Sequence, residues 1–95
     1  MNKQMNHQSH FGRTDHLAAL QEAAKVKSLI SDLDRIVRIL NSDIAAEEER
    51  AGVSDVFNAA YPVLARMMTA RRDNLKETIA ALERRLGSEA VGLTP

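Results

Sequence analysis

Six residues of this chain, Val26, Ile30, Leu33, Val37, Leu40 and Ile44, follow one another at steps of four, three, four, three and four. Such spacing keeps them on one face of an α-helix and fits no strand, whose side chains alternate with a period of two. A second row, Leu29, Leu33, Ile36 and Leu40, runs beside the first and widens the stripe. The apolar surface is then broader than one neighbouring helix covers. We expect this helix to touch two neighbours, the helix that follows it and a second copy of the protein.

The stripe sits in a stretch, Asp15 to Ala51, that contains neither proline nor glycine. Thr14 or Asp15 can cap its start with a side-chain oxygen, and Gly52 suits the left-handed residue that ends a helix. At 1.5 Å per residue the stretch would span roughly 55 Å, far longer than an isolated helix holds without packing. Glu22 with Lys25, Asp34 with Arg38, and Glu47 with Arg50 have the spacing that supports an exposed face. The run Glu47, Glu48, Glu49 opposes the helix dipole, which favours cations at that end, and reads as a solvated, frayed last turn.

Val53, Ser54 and Asp55 make a turn after Gly52, with Ser54 able to cap a short following segment. Pro62 lacks an amide donor and biases Tyr61 away from helical angles, so a break or kink is expected between Asn58 and Pro62. Val56, Phe57 and Tyr61 would close the core across this end. A second apolar stripe then follows as Leu64, Met68, Leu75, Ile79, Leu82 and Leu86, with steps of eleven that impose little supercoil. Gly87 would end it. The sequence thus predicts an all-α antiparallel helical hairpin dimerising into a four-helix bundle. Its domain would cover 14–87, with helix 15–51, turn 52–61 and helix 62–86, between flexible tails at 1–13 and 88–95.

Composition agrees with helix-on-helix packing. Aromatic residues are 3% of the 95-residue chain and tryptophan is absent, so the core must come from Leu, Ile, Val, Met and Ala. The lack of cysteine excludes disulfides, thiolate catalysis and Cys-ligated metal centres. No run approaches the roughly 18 apolar residues a membrane span needs. A cytoplasmic protein without membrane contact is the expectation. Formal charge is zero overall but +2 over residues 1–14, −3 over 15–51 and +1 over 52–95. Opposite signs on consecutive helices suit a hairpin.

Sites for chemistry are sparse. His7 and His10 have an H-x-x-H spacing, but they stand in a segment without helical period or acidic neighbours, which reads as a tail and not a metal site. The Glu-x-x-His pair of di-metal bundles is missing, as are the phosphate-binding glycine loops and the G-x-S-x-G nucleophile turn. Asp32, Asp34, Glu77 and Glu83 fall mainly off the apolar stripes. These absences point away from an enzyme, and no cofactor or metal is expected. Arg66, Arg71, Arg72, Lys76, Arg84 and Arg85 give the second helix a basic set, with Arg71, Arg72 and Lys76 the candidate nucleic-acid contacts. Interleaved Asp73, Glu77 and Glu83 and zero net charge speak against that partner.

Asn41 and Ser42 interrupt the first stripe at a height comparable with Asn74 and Thr78 on the second, and Asn41 with Asn74 could form a polar layer that fixes register. Met67 and Met68 read as core filling before they read as an adaptable binding surface. The segment from Arg71 to Leu86 looks like helical segments of many unrelated bacterial proteins, and its Ala, Leu, Glu and Arg are simply good helix formers. The expected function is a helical interaction module, self-associating as a homodimer or joining a second helical protein. A regulator that uses the second-helix arginines on nucleic acid, and a chaperone-like holder of a partner's helix, are the two alternatives.

Overall fold

A computed structural model describes the backbone of residues 2–93 and the side chains of residues 15–88. Two helices account for most of it: α1, Asn2–Ala51, and α2, Val63–Leu93. No strand occurs among the described residues. Ile44 packs with Tyr61 and Ala65 near the turn, Arg72 of α2 reaches Asn41 of α1, and Arg85 reaches Glu22 further along. Each move toward the start of α1 is matched by a move toward the end of α2. The chain is an all-α antiparallel hairpin.

Gly52 ends α1 in the left-handed conformation at φ +71°. Its amide donates to the carbonyls of Glu48 and Glu49 at 2.9 and 3.2 Å, and the Val53 amide donates to Glu48 at 3.2 Å. These bonds satisfy carbonyls that a helix end leaves open, in the pattern of a Schellman cap. Two tight turns follow. The Asn58 amide donates to the Asp55 carbonyl and the Tyr61 amide to the Asn58 carbonyl, both at 3.0 Å. The Asp55 and Asn58 side chains accept from the amides of Phe57 and Ala60 at 3.0 and 2.8 Å, so each turn is held by its own Asx contact. Pro62 breaks the helix; its carbonyl accepts the first α2 bond, from the Arg66 amide at 3.1 Å.

Both outer helix ends differ from the sequence expectation. α1 begins at Asn2 and not at Thr14 or Asp15, and α2 runs to Leu93 through Gly87. The physical reason is the same at each end. No proline lies in either stretch, and each interior glycine, Gly12 in α1 and Gly87 and Gly92 in α2, costs only about 1 kcal/mol relative to alanine, less than is needed to stop a helix already propagating. The side chains of His7 and His10 lie outside the described residues.

The seam between the helices buries Val26, Val37, Leu40 and Ile44 from α1, Tyr61 from the turn, and Ala65 and Ile79 from α2. Ile30, Leu33, Met68, Leu75, Leu82 and Leu86 are half-buried. Leu64, expected in the core, is 52% exposed. Its neighbour Ala65 takes the inward position instead, because a methyl side chain lets the first turn of α2 come close to Tyr61 and Ile44. Of the three turn residues expected to close the core, Tyr61 does so, at 4% exposed and with half-buried Val53 packed beside it, while Phe57 stands 92% exposed and Val56 also faces solvent. Each occupies an outer position of the first Asx-held turn. No large side chain among the described residues is fully buried.

Candidate interaction surface

Which residues flank the seam follows from helix geometry. One residue step turns about 100° around a right-handed helix. Two facing antiparallel helices are related by a two-fold axis through the hairpin plane, so equal sequence steps from the seam lead to the same side of the pair. The residues just before seam positions are Leu29, Asp32, Ile36, Ile39 and Asp43 on α1 and Leu64, Met67, Arg71, Asn74 and Thr78 on α2. Those just after are Lys27, Ser31, Asp34, Arg38 and Asn41 on α1 and Arg66, Thr69, Asp73, Lys76 and Glu83 on α2. One side of the hairpin therefore carries five large apolar residues, and the other carries none.

An open, mostly apolar groove of about 600 Å³ lies on the first side, lined by Leu64, Met67, Met68, Arg71, Asn74, Leu75 and Thr78. All seven belong to α2. Met67 is 65% exposed and Ile39, across on α1, is 52% exposed. The second row that widens the first-helix stripe thus has a structural counterpart. Leu33 and Ile36 are half-covered by α2 and Leu29 remains exposed, so one partner helix leaves part of that row open.

The polar residues singled out in the sequence do not assemble as a layer. Asn41 accepts from Arg72 Nη1 at 3.0 Å on the charged side, whereas Asn74 lines the groove on the apolar side. Asn74 and Thr78 meet through the helix backbone, the Thr78 hydroxyl donating to the Asn74 carbonyl at 3.1 Å. Arg72 also donates to Asp73 at 3.0 Å, its stem packed at the seam edge. Arg71, Arg72 and Lys76 therefore point to three directions, into the groove, along the seam and onto the charged side, and do not form one phosphate-tracking face. Among the exposed pairs, Glu47 binds Arg50 and Asp32 binds Arg35, but Glu22 turns to Arg85 of α2 at 3.6 Å instead of to Lys25. No Asp34–Arg38 pair occurs among the described residues.

The acidic turn of α1 is not frayed. Glu48 Oε2 accepts from the Tyr61 hydroxyl at 2.8 Å, and the Arg66 guanidinium lies over the Tyr61 ring at 5.3 Å from its centre. The hydrogen bond to Glu48, joined by desolvation, raises the Tyr61 phenol above its ordinary value. Sequence reasoning missed this tie, as it missed Ala65 and Ile39; the only signal was a tyrosine thirteen residues after a glutamate across a predicted turn. No group of acids and histidines that could hold a metal occurs among the described residues, and no helix among them is long and apolar enough to cross a membrane. No family model, curated protein or solved structure matches the chain.

Proposed function

We propose that this chain is a non-enzymatic helical protein–protein interaction module that self-associates as a dimer, serving as a structural, adaptor or regulatory part in the cytoplasm. The observation that carries the reading is the two-sidedness of the hairpin: Leu29, Ile36, Ile39, Leu64 and Met67 on one side, and only polar or small residues flanking the seam on the other. Supporting it is the thinness of the seam, since small scaffolds without disulfides or metals commonly complete their core by association. The cytoplasmic placement rests on the absence of cysteine. Sedimentation equilibrium of the purified chain tests the reading. The expected mass is twice 10.5 kDa; a helical monomer throughout the micromolar range overturns it.

The open groove on α2 favours a second reading, a holder of a partner's amphipathic helix. That protein would sediment as a monomer and bind an amphipathic helical peptide, which separates the two.

A further inference from the structure

The apolar side carries charges as well as oil, and they are sorted by helix. Asp32 and Asp43 lie there on α1, and Arg71 and Arg85 on α2, with Lys25 the exception at the far end. Asp43 and Arg71 have no ion-pair partner among the described residues, and Arg71 lines the groove between Met67 and Asn74. A charge at an apolar groove is costly to cover unless an opposite charge comes with the cover. The occupant of this surface must therefore bring apolar side chains together with an acid within reach of the long Arg71 side chain.

We infer that the occupant is a second copy of this chain, related by a two-fold axis parallel to the helices, so that α1 of each protomer lies in the α2 groove of the other with Asp43 close to the partner's Arg71. The inference rests on the self-association reading above and adds the surface and the arrangement. Stacking α1 on α1 and α2 on α2 about a two-fold axis across the helices would bring Asp32 of one copy near Asp43 of the other and Arg71 near its own copy, which like-charge repulsion disfavours. Crossing the helices sets acids over bases. It also keeps every neighbouring pair antiparallel and at equal height, so Ile39 of one copy arrives beside the groove residues Met67 and Arg71 of the other. The charged side, with Lys27, Arg38, Asp73 and Lys76, stays in water.

Three sets of variants of the full chain, followed by sedimentation and by helix content from circular dichroism, test this. Met67→Glu on the apolar side is expected to weaken the dimer by at least about tenfold, and Lys76→Glu on the charged side to leave it unchanged. Arg71→Asp and Asp43→Arg are each expected to weaken it by about threefold to tenfold, and the double swap to return it to within about twofold of the parent. Because the chain has no cysteine, mixing Ile39→Cys chains with Met67→Cys chains adds a readout that needs no loss of folding. Oxidation is expected to give the mixed disulfide ahead of either symmetric one. A dimer that survives Met67→Glu but is lost in Lys76→Glu, or a symmetric Ile39→Cys disulfide as the main product, overturns the arrangement while self-association stands. A monomeric parent protein overturns both.

Discussion

The Tyr61 hydroxyl donates to Glu48 Oε2 at 2.8 Å, tying the residue before Pro62 to the last full turn of α1. This bond spans the two Asx-held turns and fixes where α2 starts relative to α1. It also explains why three successive glutamates are tolerated at a helix end that disfavours anions: one is bound by a phenol, one by Arg50, and only Glu49 is exposed to solvent.

Tyr61 gives the hairpin a pH dependence whose sign follows from the raised phenol. A proton held more tightly in the folded state than in the unfolded one contributes stability that is fully present below the ordinary value near 10 and lost as pH rises from there through the folded value. Thermal melts at pH 8 and at stepped values above 10 are expected to show a fall in midpoint. Subtracting the same series for Tyr61→Phe, which cannot titrate, isolates the contribution of this residue; parallel curves would exclude it.

Gly52 and Gly87 are expected to respond to alanine with opposite signs. At Gly52 a Cβ meets nothing within 4 Å, so the cost is the left-handed backbone alone, about 1 to 2 kcal/mol of destabilisation. Gly87 lies inside α2 with open space around it, and Gly87→Ala is expected to stabilise by about 0.5 to 1 kcal/mol. Urea melts read both. A destabilising Gly87→Ala would restore the helix end that the sequence suggested.

Neighbouring leucine and alanine positions at the start of α2 separate core from surface. Ile44→Ala removes the centre of the cluster with Tyr61 and Ala65 and is expected to cost about 2 to 5 kcal/mol. Enlarging Ala65 to leucine would overpack the same contact by about 1 to 3 kcal/mol. Leu64→Ala, by contrast, removes an exposed side chain and is expected to act only through association, read as a melting midpoint that falls at low protein concentration and recovers at high concentration.

Asn74 is one of three polar members of the groove wall, with Arg71 and Thr78 beside the apolar Leu64, Met67, Met68 and Leu75. Asn74→Leu is expected to raise the melting midpoint and tighten the dimer, since no side-chain hydrogen bond is lost within the hairpin. An unchanged midpoint would place Asn74 away from the interface.

The two helices, the glycine that ends α1 and the break at Pro62 were legible because each has a local cause: a 3.6-residue period, a left-handed requirement, a missing amide. The outer ends were not, since Asn2 to Arg13 and Ser88 to Leu93 contain weak helix formers, Gly12 and Gly92 among them, but no proline, and a helix stops only where something stops it. Leu64 was assigned inward because size was used as the guide, whereas close approach beside Tyr61 selected Ala65, one step and about 100° away. That single step also hid the apolar side. Only when the seam residues are known does it emerge that those just before them, on both helices, are the oily ones.

The account stands on the claim that one helix-to-helix seam is too thin to hold this hairpin and that a second copy completes it. Thermal unfolding followed by circular dichroism across a hundredfold range of protein concentration tests this directly, because coupled folding and association make the midpoint depend on concentration. The midpoint is expected to rise steadily with concentration; a constant midpoint, with full helix content at the lowest concentration, would show that the single hairpin is stable alone.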